Sequence, residues 1–236
     1  MPTTTVNATL QGSAGLTSNI ASTNWTGLIR DVSTGDFANT YTNPSSVGSA
    51  IRVGLFTGRT NYSGQCRRVF LFFNNLDTSI LGTITAATLK IYNPAVFNNP
   101  CNTIAVEGSA WGNNGTTTTL STSDYSNLDQ SIEYSPEKTS WIGGTGVYND
   151  FVLNSTAITA MNTNGYLNVA IIEGEYDYGN TNPPLDNTAI GAGMKFLDSA
   201  YPIKLVITYT PSLNSIITYS SVIGVEAANI SSINSI

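Results

Sequence analysis

The chain contains no histidine. That removes Ser-His-Asp and Cys-His catalysis, and with them histidine-based metal sites. Basic residues are scarce: nine Lys and Arg in 236 residues, with Arg67–Arg68 the only adjacent pair. No basic stripe of the kind nucleic-acid binding needs can be drawn from them. Charged residues make up 10% of the chain, against a usual ~25%. The net charge of -6 is of the size that ordinary solubility requires. No run approaches the ~18 apolar residues of a membrane helix. The first residues, MPTTTVNATLQGSAG, lack both the basic and the apolar regions of a signal peptide. The expectation is a soluble chain made in the cytoplasm, with neither nucleic acid nor membrane as partner.

What is present suits a β-protein. Hydrophobic residues reach 41% and aromatics 10%, enough for a real core in one large all-β domain or two small ones. Roughly a third of the chain is Ser, Thr or Asn, well above ordinary usage. Thr favours strands, and Asn and Ser favour turns.

The clearest pattern lies in Arg68–Tyr92, RVFLFFNNLDTSILGTITAATLKIY. Val69, Leu71 and Phe73 alternate onto one face, Phe70 and Phe72 onto the other, so this strand is expected to be covered on both faces. After a turn near Asp77–Ser79, Ala87, Leu89 and Ile91 point inward and Thr88, Lys90 and Tyr92 outward. Cys66 and Cys101 flank this pair of strands. Two free thiols and a Cys66–Cys101 bridge both remain open.

Around this pair the chain reads as short strands separated by turns. Residues 1–24 are an arm or a first edge strand, with one strand at Thr5–Leu10. Short strands are expected at Gly27–Asp31, Ile51–Phe56, Thr103–Trp111, Ser131–Tyr134, Tyr148–Leu153, Leu167–Ile172 and Ile203–Tyr209, and a short turn at Ser123–Leu128. One helix is predicted, Ser155–Met161, from an Asn154 or Ser155 N-cap and the spacing of Ala157, Ile158 and Met161. Pro211 ends the last strand. The fold class is therefore all-β: an antiparallel β-sandwich, or jelly roll, with one short helix and extended terminal arms. Its parts are an arm or edge strand over 1–24, the sandwich over 25–210 and a tail over 211–236.

The order of these pieces resembles the DNRLRE-type, carbohydrate-binding-like jelly-roll module. That family has an Arg, a strand ending Phe-Asp-Leu, and then a strand of the form sAtLxly. Here Arg68 precedes Phe73-Asn74 and Leu76, and Ala86–Tyr92 stands in the second strand. A strand, short helix and strand follow over residues 151–172. The close Pro-x-Leu-x-Val-x-Tyr is matched by Pro202, Leu205, Ile207 and Tyr209. Asn74 replaces the family's Asp, and one extra residue separates Pro202 from Leu205. The resemblance implies the fold far more than any activity. Related modules occur in secreted bacterial enzymes, surface proteins and tailed-phage virions. Ser221–Ile236 separately resembles the NI-x-x-I-N segments of phage structural proteins.

Candidate sites are few. Glu173, Glu175 and Asp177 lie at i, i+2 and i+4, which in an extended chain puts three carboxylates on one face. A glycosidase pair would instead face across a cleft, so a solvated strand end or a calcium site are the other readings. Asp31 and Asp198, near the first and last strands, are where a jelly roll can hold a structural calcium. Trp25, Trp111, Trp141, Tyr125, Tyr134 and Tyr148 read as core or loop anchors. Tyr176 and Tyr178 are the residues best suited to contact a glycan by stacking. Gly143–Gly146 lacks the Lys-Ser/Thr of a phosphate loop and reads as a turn.

In the tail, Ile216, Ile217, Val222, Ile223, Val225, Ile230, Ile233 and Ile236 accompany a single charge, Glu226. Such a segment is too apolar for a solvated linker and too irregular for a membrane span. It is expected to be an assembly interface. No catalytic residue, cofactor or metal ligand is expected. The functional expectation is a non-enzymatic tailed-phage virion protein: a capsid decoration, head-fibre or tail-associated subunit. It would be a homo-oligomer made in the host cytoplasm and joined to other virion proteins. The alternative is a carbohydrate-binding or adhesion module of a cell-surface or secreted protein, with a host surface glycan as partner.

Overall fold

The structure is a computed structural model that describes residues 1–20, 25–41, 48–56, 62–76, 78, 82–94, 100–108, 119–184, 190–194 and 198–212. It is an all-β sandwich of two antiparallel sheets. The strands are β1 (Thr3–Asn7), β2 (Leu10–Ile20), β3 (Phe37–Thr40), β4 (Gly48–Phe56), β5 (Tyr62–Phe73), β6 (Thr83–Tyr92), β7 (Thr103–Glu107), β8 (Asp129–Glu133), β9 (Tyr148–Val152), β10 (Leu167–Glu173), β11 (Ile190–Met194) and β12 (Lys204–Thr210). The smaller sheet runs β1-β12-β6-β9. The larger is organised around β5. One edge of β5 carries β2 along its length, from Leu10↔Phe72 to Ile20↔Tyr62. The other edge is shared, with β4 against Ser63–Arg67 and β10 against Val69–Phe73. Beyond these lie β3 on β2, β11 on β4, and β7 then β8 on β10.

Both faces of β5 are apolar, and both are covered. Val69, Leu71 and Phe73 pack between the sheets with Leu89, Ile91, Phe151, Leu205 and Ile207. Phe70 and Phe72 belong to a second cluster on the outer face, with Trp25, Ile29 and Tyr125. Each such side chain taken from water contributes roughly 1.5–3 kcal/mol.

Three expectations are corrected. First, β5 and β6 do not pair; they face each other from opposite sheets. The connection 74–82 exceeds the two to five residues of a tight hairpin. Its last residue, Gly82, has φ 92°, and a Cβ there would lie 1.9 Å from the Thr210 carbonyl oxygen. Second, Gly27–Asp31 is not a strand. Thr26–Arg30 is a single helical turn that buries Trp25 and Ile29, which stand four apart, a helical rather than an alternating spacing. Third, Tyr92 points outward from β6 yet is 5% exposed, because Tyr148 and Tyr201 lie against it, with ring centroids at 6.1 and 4.7 Å.

Residues 1–24 contain the edge strand β1 but also β2, whose two edges are both paired. The predicted helix is present as α1 (Ser155–Asn164). Asn154 is extended, and its Oδ1 accepts the Ala157 N–H at 3.1 Å. Gly165, at φ 71°, ends the helix in the left-handed conformation and donates to the Met161 carbonyl, a form that costs other residues more. Ala157 and Met161 dock α1 on the inner core.

Candidate functional site

Alternation along β5 places Cys66, Arg68, Phe70 and Phe72 on the outer face, so a charged residue enters an apolar layer. Arg68 is 2% exposed. Its Nε donates to Asp177 Oδ2 at 2.8 Å, and Nη2 donates to Asp177 Oδ1 at 2.6 Å. Nη1 donates to the Tyr125 carbonyl and Nη2 to the Arg30 carbonyl, each at 2.8 Å. The guanidinium lies 4.3 Å from the Tyr125 ring centroid. Four of its five N–H groups thus have named acceptors. Burial alone would lower the Arg68 pKa; the Asp177 carboxylate beside it holds it above the ordinary value. Asp177 is fully buried and also accepts from Gln130 Nε2 at 3.2 Å and Cys66 Sγ at 3.4 Å. Arg30 donates through Nε to the Asp177 carbonyl and through Nη2 to Gln130 Oε1. The Tyr125 hydroxyl closes the ring of contacts on the Ile29 carbonyl at 2.7 Å.

Asp177 is positioned by a helical turn, Gly174–Tyr178, that follows directly from β10. Glu173, the last residue of β10, is fully buried and caps this turn. Its Oε1 accepts the Glu175 N–H at 2.9 Å, and Oε2 accepts those of Tyr176 and Asp177 at 2.6 and 3.0 Å. Burial pushes the Glu173 pKa up to about 7, against the three N–H bonds that pull it down and with the Asp177 charge adding to the rise. The expectation of three carboxylates on one face of an extended chain is therefore corrected. The backbone turns helical after Glu173 because its own carboxylate satisfies the orphan N–H groups. Glu173 and Asp177 point inward, and Glu175 is exposed.

Chemically this centre is a brace. Two segments that cover the outer cluster, the turn around Arg30 and the turn around Tyr125, hang from the one guanidinium by their carbonyls, and a third, Gly174–Tyr178, supplies its carboxylate. Cys66 offers no nucleophile, because burial and then Asp177 push its thiol well above the ordinary range. Cys101 is likewise raised, by burial and then by Glu173. Both cysteines are free. They belong to clusters on opposite faces of the larger sheet, Cys66 outside and Cys101 inside.

The other candidate residues are dispersed. Tyr176 and Tyr178 are half-buried against the outer cluster. The Tyr178 hydroxyl donates to Glu133, and the Tyr176 carbonyl accepts from Trp25 Nε1 at 3.2 Å. Asp31 pairs with Arg30. Asp198 Oδ1 accepts the Ala200 and Tyr201 N–H groups at 2.8 and 2.9 Å. Among the described residues no group of three His, Cys, Asp or Glu is placed to hold a metal. Trp141 is buried with Nε1 donating to Thr103 Oγ1 at 3.0 Å, and Tyr134 is buried too. Trp111 and the eight apolar tail residues from Ile216 to Ile236 lie outside the described residues. Neither the protein-family models nor the curated proteins compared with the chain match it.

Proposed function

We propose that this protein is a non-enzymatic structural subunit, of the kind found in tailed-phage virions, that assembles with itself and with neighbouring virion proteins through its terminal segments. The observation that carries this reading is where the two ends of the sandwich meet. β1 is the edge strand of the smaller sheet, and among the described residues it pairs only with β12. The pairing begins at Thr3↔Thr208, and the Tyr209 N–H donates to the Pro2 carbonyl at 3.2 Å. The N-terminal strand and the start of the 211–236 segment therefore share one corner of the molecule. An edge strand with free backbone groups can accept another chain. The apolar segment 213–236 supplies side chains that such a junction would bury. The histidine-free composition and the saturated Arg68 centre fit a scaffold role.

Amide hydrogen exchange on the assembled protein tests this. The β1 amides that point away from β12 should become protected on assembly, together with amides of 213–236. Exchange at both places that is indifferent to assembly would contradict the reading.

A further inference from the structure

The C-terminal segment leaves the sandwich beside α1. Thr210, Pro211 and Ser212 line a cleft with Gly82, Thr83 and Asn162 of α1. Asn162 marks the flank of α1 that faces β6, because its side chain bonds the Ile84 N–H at 2.8 Å and the Ile84 carbonyl at 2.9 Å. A larger groove lies on the opposite flank, between α1 and the edge strand β8. Its volume is about 470 Å³.

This groove is mainly apolar and nearly uncharged. Ile132 of β8 and Ala160 of α1 line it, and both also pack against the inner core. Thr156, Thr159 and Thr163, all exposed, form its helix side. Among the described residues, Glu107 is the one charged member of the lining. From Thr156 to Thr163 the helix rises about 10 Å. An apolar groove at the surface is a common receptor for an apolar peptide stretch.

The chain itself supplies a segment of matching chemistry. Residues 227–236, AANISSINSI, carry no charged side chain, so none opposes Glu107. Ile230, Ile233 and Ile236 recur every third residue. A threefold extended backbone of the polyproline II kind puts such residues on one side, about 9 Å apart. That step matches the length of the helix wall, so two successive isoleucines fit along one groove. The Ser and Asn residues between them then lie on the outer sides.

We propose that the groove receives residues 227–236 of a neighbouring copy. This inference rests on the assembly reading above and names the receptor surface for its C-terminal segment. Length favours a neighbour over the same copy. Residues 213–226 can span up to roughly 45 Å, whereas α1 is only about 10 Å across. Folding back would loop Ile216, Ile217, Val222, Ile223 and Val225 out over solvent, against the hydrophobic effect. Reaching a second molecule uses that span.

The test is photo-crosslinking within the assembled full chain. A benzophenone amino acid replaces Thr156, at one end of the groove, in a mixture of isotopically light and heavy copies. Mass spectrometry should find the cross-link on residues 227–236, joining light chains to heavy ones. Thr159→Trp, which fills the groove from an exposed helix position, and Ile233→Asp should each weaken self-association at least about tenfold by sedimentation velocity. Combined, they should weaken it little more than either alone, since both remove one contact. Val152→Trp, at an exposed position on β9, should leave association unchanged, and melting curves check that every variant is folded. The proposal is overturned, with the assembly reading intact, if the full chain associates but the cross-link falls elsewhere. The same holds if Thr159→Trp associates at parent strength or Val152→Trp weakens association as much. Cross-links confined to single chains overturn it in favour of a segment folded on its own sandwich. A full chain that stays monomeric overturns both.

Discussion

Arg68 and Asp177 meet in a two-pronged ion pair, 109 positions apart in sequence, with side chains 3% and 0% exposed. The pair joins β5 to the turn after β10, and its remaining bonds reach the Tyr125 and Arg30 carbonyls. Removing one member leaves an uncompensated buried charge, which typically costs ~3–5 kcal/mol. Asp177→Ala and Arg68→Ala should each lose stability of that order in urea denaturation. The double variant should lose much less than the sum, since the pair acts as a unit. Additive losses would mean that the two side chains do not act through each other.

The inner core gives a second expectation. Phe73 is fully buried between the sheets, so Phe73→Ala should cost ~3–5 kcal/mol. Val152→Ala, at a side chain 65% exposed on the edge strand β9, should stay within ~0.5 kcal/mol. Similar losses at the two positions would refute the strand phase.

Glu173 predicts a pH dependence. Its pKa is raised from 4.5 to about 7 in the folded protein, so the native state holds this proton more tightly than the unfolded chain does. Its contribution is therefore full below about pH 4.5 and is lost as pH rises through about 7. At 1.36 kcal/mol per pKa unit the whole effect is about 3 kcal/mol. Urea midpoints at about pH 5 and about pH 8 should differ in this direction for the parent, and less for Glu173→Gln. Parallel behaviour of the two proteins would remove Glu173 as the cause.

Thiol chemistry gives a fourth. Cys66 and Cys101 are both buried and free. A maleimide should label neither quickly in the native protein and both after unfolding without reductant. A pair that stays unlabelled in denaturant would reveal a bridge that the fold places on opposite faces of a sheet.

The parts of this fold that sequence reading reaches are those with a local period. Val69, Leu71 and Phe73 against Phe70 and Phe72, and the Leu89–Ile91 and Leu205–Ile207 alternations, specify strands and their buried faces directly. β2 was not legible as a central strand, because Leu10–Ile20 is rich in Gly, Ser, Ala and Thr. Tight packing explains that composition: a Cβ on Gly15 would lie 2.3 Å from the Phe37 ring, and one on Gly12 would lie 2.7 Å from the Asn39 carbonyl oxygen. The brace was legible only in part. A lone Arg68 among Cys66, Phe70 and Phe72 implies a buried partner, but nothing local selects Asp177. Glu173 is extended as the last residue of β10, but Glu175 and Asp177 were misread as extended because their turn is set by the Glu173 side-chain cap rather than by any apolar period.

The central claim is assembly through the terminal segments, and sedimentation velocity on the full chain and on a chain ending at Ser212 tests it most directly. The account predicts that the shortened protein keeps the far-UV spectrum and cooperative melt of the sandwich but sediments as a monomer where the full chain associates. Association of the shortened chain at unchanged strength, or its unfolding as a monomer, would contradict it.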